Sequence, residues 1–210
     1  MIEKLYLYND GLTMDAVVLS CEPEDNGHYH VRLAATLFHP QGGGQPSDIG
    51  YIGDAVVLQV IHEEQDVIHI TDKPVAPGEC SIIVDAISRE LNTRMHSAGH
   101  LIAVAGEALG WKAFKANHRP GEGRVVFALE KGDAMPPTVE ALEEGSNKLV
   151  CLALARRQEV INGIRNVGWG DLPAYECGGT HVTSTERVGA INIISARFKK
   201  GQLSVSYTLS

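Results

Sequence analysis

The stretch DAISRELNTRMHSAGHLIAVAGEALG, residues 85–110, separates two kinds of sequence. Asp85 is a good helix N-cap and Gly110 a good stop signal. Between them Leu91, Met95, Ala98, Ile102, Ala105 and Leu109 recur at helical spacing, which predicts one long helix with an apolar stripe. With about 100° of rotation per residue, His96 and His100 fall on nearly the opposite side, beside Thr93, Ala103 and Glu107. The helix should pack on a core with one face and present two imidazoles, one turn apart, from the other.

Before this helix the sequence reads as strands. Residues 14–19, 30–37, 55–61 and 67–70 are short β-branched or alternating runs, punctuated by Asn9-Asp10-Gly11 and Asp25-Asn26-Gly27. Lys73-Pro74-Val75-Ala76-Pro77-Gly78 reads as a loop, followed by a strand over 81–84. This spacing predicts a small antiparallel β-barrel domain over residues 1–84. After the helix come a strand over 124–129 and a second helix over 139–157, opened by Pro136-Pro137 and capped by Thr138. Strands over 160–164, 190–198 and 203–209 follow, the last two joined through Lys199-Lys200-Gly201-Gln202. Helices segregated from antiparallel strands predict an α+β two-layer sandwich over residues 85–210, and an α+β chain as a whole.

The composition is that of an ordinary globular protein: 210 residues, 44% apolar and 21% charged. No apolar run has membrane-spanning length and the first residues are no signal peptide, so the cytosol is the expected compartment. Cysteines 21, 80, 151 and 177 are too scattered for a disulfide framework, and the first three are expected as buried thiols. A formal net charge of −8 excludes a protein that coats nucleic acid through bulk electrostatics. It leaves room for a local basic surface that meets one RNA end. Arg89, Arg94, Lys112, Lys115, Arg119, Arg124, Arg156, Arg157, Arg165, Lys199 and Lys200 are the candidates for it, against the plainer reading of each as a solvated surface charge.

The chemistry gathers around two pairs. His96-x-x-x-His100 lies on the predicted helix, and Cys177-Gly178-Gly179-Thr180-His181 on a glycine-rich turn 76 residues further on. Together they offer the donor set of a tetrahedral zinc site that only folding can assemble. A zinc protease would carry glutamate directly after the first histidine, where this chain has Ser97. Four protein ligands suit a closed structural site. The neighbouring glycines and the helix face turned from its core suit one that lines a pocket.

Gly42-Gly43-Gly44 can adopt positive φ and present amides in a concave nest, or can simply make a tight connection between strands. No Gly-Lys-Ser/Thr follows, so it is no Walker loop, and no Gly-x-Ser-x-Gly elbow occurs. His28 and His30 read as part of a surface hairpin, and His39 as a weaker site contact. His62, His69 and His118 lack partner spacing.

Gly42-Gly43-Gly44-Gln45 with Asp48-x-Gly50, then His96-x-x-x-His100, then Cys177-Gly178-Gly179-Thr180-His181-Val182, resembles the free-standing alanyl-tRNA editing proteins of the AlaX type in their medium-length form. The same order is similar to the editing domain of alanyl-tRNA synthetase. The resemblance covers nearly the whole chain. It implies a hydrolase that removes serine, and in some members glycine, wrongly esterified to alanine tRNA. It implies Zn2+ held by His96, His100, Cys177 and His181, and editing without charging, since the aminoacylation region has no counterpart. Gln45 and Thr180 become the catalytic candidates. Gly42, Gly43, Gly44, Asp48, Thr93, Gly178 and Gly179 become candidates for substrate contact, and Glu107 for a further polar contact.

Zinc with four protein ligands is expected to orient the substrate and supply electrostatics. Serine is alanine plus a hydroxyl, and a site that hydrogen-bonds this hydroxyl discriminates well. A threonine beside the metal suits that task. The chain departs from the family in its last strand, Leu203-Ser204-Val205-Ser206-Tyr207-Thr208, where basic residues are common. The competing readings are a non-catalytic tRNA-binding module with structural zinc, and a zinc hydrolase of other aminoacyl esters.

Overall fold

The computed structural model describes residues 2–64, 66–130 and 135–210. Two compact units are present, Met1–Glu90 and Leu91–Ser210, with the division inside the long helix.

The first unit is built from β1 (Glu3–Lys4), β2 (Thr13–Pro23), β3 (Tyr29–Leu33), β4 (Ala35–Thr36), β5 (Gly50–Ile52), β6 (Ala55–Glu63), β7 (Asp66–Thr71) and β8 (Gly78–Val84). β1 and β4 form a short parallel pair. The other six are antiparallel in the order β2-β3-β7-β6-β5-β8, and β8 pairs back with β2, so the circuit of hydrogen bonds closes. Alternation drives this: Ala16 and Val18 of β2 are buried, while Val17 and Leu19 between and beyond them are exposed. Val31, Leu33, Phe38, Ile52, Val57, Val60, Val67 and Ile82 fill the core. The single strand expected over 30–37 is broken at Ala34, whose amide bonds Val17 and whose carbonyl accepts from Glu3. Backbone partners on two different strands bend the chain there. β5, only three residues long, gave no sequence signal.

The second unit holds the body of α1 (Ala86–Glu107), then β9 (Trp111–Asn117), β10 (Arg124–Leu129), α2 (Val139–Cys151), β11 (Arg156–Ile161), β12 (Ile164–Trp169), β13 (Tyr175–Glu176), β14 (Ile191–Lys199) and β15 (Gln202–Leu209). A four-stranded sheet runs β14-β15-β10-β9 and a three-stranded one β11-β12-β13. Met95, Ala98, Leu101 and Ile102 of α1 join Val125, Phe127 and Val205 of the larger sheet, and Leu142 and Val150 of α2, in one core.

Both expected caps are present. The Asp85 carboxylate accepts from the Ser88 amide at 2.8 Å, and the Thr138 hydroxyl from the Ala141 amide at 3.2 Å.

The second helix stops at Cys151 instead of 157, and the expected strand over 160–164 straddles a turn. Both departures have one cause. Ile161-Asn162-Gly163-Ile164 is a two-residue hairpin with positive φ at Asn162 (53°) and Gly163 (81°), the geometry that favours Asn-Gly. The hairpin requires two strands around it, so 156–161 extends and the helix must end earlier.

The stripe of α1 is buried at Met95, Ala98 and Ile102, whereas Leu91 and Leu109 at its ends are exposed. The opposite side is buried as well, with His96 only 2% exposed. Cys151 is exposed, and Cys21 and Cys80 are half-buried, against the expectation of three buried thiols.

Candidate metal centre

α1 supplies His96 and His100, and the chain leaving β13 supplies Cys177 and His181. Their donor atoms all lie within 4.8 Å of one another. The Cys177 Sγ is 3.4 Å from His96 Nε2 and 3.1 Å from His181 Nε2, and accepts from the Gly179 amide at 3.4 Å. The three imidazole rings sit with centroids 4.5 to 5.1 Å apart.

The turn carrying Cys177 and His181 is held from behind. The Arg165 guanidinium donates to the carbonyls of Cys177 (2.7 Å) and Gly179 (3.0 Å), and the Arg165 carbonyl accepts from the Cys177 amide. Arg156 donates to the His181 carbonyl at 2.6 Å, and the Trp169 indole to that of Val182 at 3.1 Å. Ser97, at the place of a protease's glutamate, is a joint. Its hydroxyl donates to the Thr93 carbonyl (2.8 Å) and accepts from the Val182 amide (3.0 Å), 3.4 Å from His181 Nδ1.

The donor set fits zinc. His100 Nδ1 is buried without a hydrogen-bond partner among the described residues. Burial lowers the His100 pKa to about 3, with His118 and Arg165 adding to the effect, and pushes His181 well below the ordinary value. Both rings are therefore neutral lone-pair donors at neutral pH. Burial pushes the Cys177 thiol up, opposed by the Gly179 amide and Arg165. A bound dication reverses that balance in favour of the thiolate. Three imidazoles and one thiolate make a tetrahedral set.

Around the cluster, Thr93 and Thr180 face each other with hydroxyl oxygens 2.6 Å apart, both nearly buried. The Tyr175 hydroxyl donates to Glu107 at 2.7 Å while its ring stands edge-on to His100. Thr93, Gly178, Gly179 and Thr180 thus belong to the same unit as the four ligands.

Gln45, Gly42, Gly43, Gly44 and Asp48 belong to the first unit. Gly42 and Gln45 exchange backbone hydrogen bonds at 2.9 and 3.1 Å, with positive φ at Gly43 and Gly44, so the glycine run is a tight turn. Asp48, expected to meet substrate, is wholly buried and its carboxylate is engaged internally. Arg89 Nε lies 3.0 and 3.1 Å from its two oxygens, and the His39 amide donates to it as well. Burial also lowers the His39 pKa to about 4, opposed by Asp48.

Five of the eleven cations considered for an RNA surface have partners within the chain itself, Arg89 buried and Arg94, Arg156, Arg157 and Arg165 half-buried. Arg94 donates to the Val188 carbonyl at 2.9 Å, and Arg157 to the Gly170 and Leu172 carbonyls. Sequence reasoning also passed over His118, which is buried and stacked on His96, because its spacing matches no ligand pair.

No protein-family model matches the chain. Among curated proteins it is similar to the Alanyl-tRNA editing protein Aarsd1 of Bos taurus, 35% identical over 84% of this chain and 47% of that protein. The Aarsd1 of Danio rerio is 29% identical over 86% of this chain and 51% of that protein. An alanine–tRNA ligase of Halobacterium salinarum is 31% identical over 92% of this chain and 24% of its own length. The chain spans about half the length of the Aarsd1 relatives it matches.

Proposed function

The chain is a homologue of alanyl-tRNA editing proteins, and we propose that it is a zinc-dependent hydrolase that deacylates alanine tRNA mischarged with serine, and with glycine as a second substrate. The observation that carries this reading is the cluster of His96, His100, Cys177 and His181 beside the Thr93–Thr180 hydroxyl pair. In the reaction, water adds to the ester carbonyl and the bond to the terminal ribose oxygen breaks. Free amino acid and tRNA leave, without ATP. When bound, zinc supplies positive charge that orients the aminoacyl group and favours the developing oxyanion.

The chain's own residues divide the remaining work. Gly178 and Gly179 let the aminoacyl group approach the backbone closely. Gln45, on the turn of Gly42, Gly43 and Gly44, is 1% exposed within the first unit, and we assign it no direct contact with the aminoacyl group. The Thr93–Thr180 pair supplies the test for serine. Its two hydroxyls, 2.6 Å apart, are the polar groups beside the cluster that match the hydroxyl serine has and alanine lacks. An alanyl methyl offers these hydroxyls no hydrogen bond, so serine is favoured over alanine. Among the described residues no helix is long and apolar enough to cross a membrane, and we place the reaction in the cytosol, where charged tRNA is used.

Thr180→Val keeps the shape and removes one hydroxyl. Serine release from mischarged alanine tRNA is expected to fall about 10-fold or more, the order of one lost hydrogen bond, with zinc content unchanged. Single-turnover deacylation beside metal analysis reads both.

A second reading has one observation in its favour: four protein donors fill a tetrahedron and leave no place for water, as in structural sites. On that reading the chain is a tRNA-binding module, binds tRNA without turnover and unfolds when zinc is chelated. Measured serine release separates the two.

A further inference from the structure

We infer that His118 is a positioning residue of the metal centre: clamped by Tyr207, it lies flat on His96 and sets the plane of that ligand's ring. The inference rests on the metal reading of the cluster and names a residue outside it. His118 follows β9, is 3% exposed, and stacks on His96 with centroids 4.3 Å apart and planes 21° from parallel. It is not among the four clustered donors.

Two hydrogen bonds fix its place. The Tyr207 hydroxyl has a single proton, and it donates that proton to the Met95 carbonyl at 2.9 Å, because a carbonyl can only accept. The same oxygen then accepts from His118 Nδ1 at 2.8 Å, so the proton of the neutral His118 ring is on Nδ1. Met95 directly precedes His96 on α1. The clamp therefore ties His118 to the helix backbone at the ligand it covers.

The helix is shaped to admit this ring. At Gly99, three residues after His96, a Cβ would stand 2.2 Å from His118 Cε1 and 2.5 Å from Nδ1, so any side chain there would expel the imidazole. Two of the ligand rings are thus oriented from behind by partners that do not touch the metal: His181 through Ser97, and His96 through His118. Such partners raise affinity by holding ligands in the coordinating geometry before the ion arrives.

The test measures metal binding and leaves deacylation aside. Zinc affinity is read by competition with a chromophoric chelator, and site geometry by the visible spectrum of the Co2+-loaded protein. The variants are Tyr207→Phe, which deletes one oxygen, and His118→Leu, which deletes the stack. The expected result is zinc affinity lower by about 10-fold or more in His118→Leu, less in Tyr207→Phe, with an altered cobalt spectrum in both. Circular dichroism identifies a variant that fails to fold. Tyr207→Phe then decides the matter, since it keeps the aromatic core.

Affinity within about twofold of the parent and an unchanged cobalt spectrum would overturn the inference. A parent chain that takes up no zinc would overturn both this and the metal reading. A chain that binds zinc, responds as stated and releases no serine would sink the proposed function alone.

Discussion

Cys177→Ala is expected to empty the metal site and to lower serine release from mischarged alanine tRNA by ~100-fold or more, beyond the 10–100-fold typical of losing a mere supporting partner. Cys177 is the single sulfur donor. Its Sγ lies within 3.4 Å of nitrogens on both His96 and His181, so it contacts the ligands from both halves of the cluster. Alanine leaves three imidazoles facing a void, and the Gly179 amide loses its acceptor. The checks are zinc per chain and single-turnover deacylation on the same preparation. Retained activity with the metal gone would remove zinc from the reaction. Loss of the metal with loss of the fold would favour the structural reading. The turn is anchored independently by Arg165, Arg156 and Trp169, so the expected protein is folded, metal-free and inactive.

The largest effect on stability is expected in the first unit. Asp48→Asn should destabilise the protein by about 3–5 kcal/mol, the cost of breaking a buried ion pair from one side. Asp48 is fully buried and Arg89 is 7% exposed, so the cation left behind cannot recover water. Arg89 would keep only neutral acceptors here, the Leu37 carbonyl at 2.6 Å and the asparagine amide oxygen, with no negative charge to offset its own. Denaturant unfolding, followed by the midpoint at constant slope, measures the loss. A change below about 1 kcal/mol would show that the pair is screened like a surface bridge. The Asp48-x-Gly50 motif would then need another explanation than holding residues 37–48 to the start of α1.

The long helix and the ligands it carries were legible because their signals are local. A cap, a stop, a stripe and a His-x-x-x-His pair all fall within 26 residues; the cap and the pair lie as expected, while the helix ends at Glu107 and the stripe is buried only in its middle. The end of α2 is not legible locally, because the Asn162-Gly163 turn that forces it begins eleven residues beyond Cys151.

Partnerships across the fold were illegible for a different reason. Nothing in the spacing of His118 and Tyr207, 89 residues apart, indicates that one clamps the other. Nor does composition reveal that an arginine such as Arg165 faces two carbonyls inside the protein. Asp48 illustrates the same limit, since a motif can mark a residue without saying whether it meets substrate or another side chain.

Serine release from mischarged alanine tRNA, by protein carrying one zinc per chain and with correctly charged alanyl-tRNA as the control, tests the central claim most directly. Rapid loss of serine from the mischarged tRNA while alanyl-tRNA persists is the expected result. Zinc-loaded, folded protein that binds the mischarged tRNA and leaves its ester intact at high enzyme concentration would contradict it.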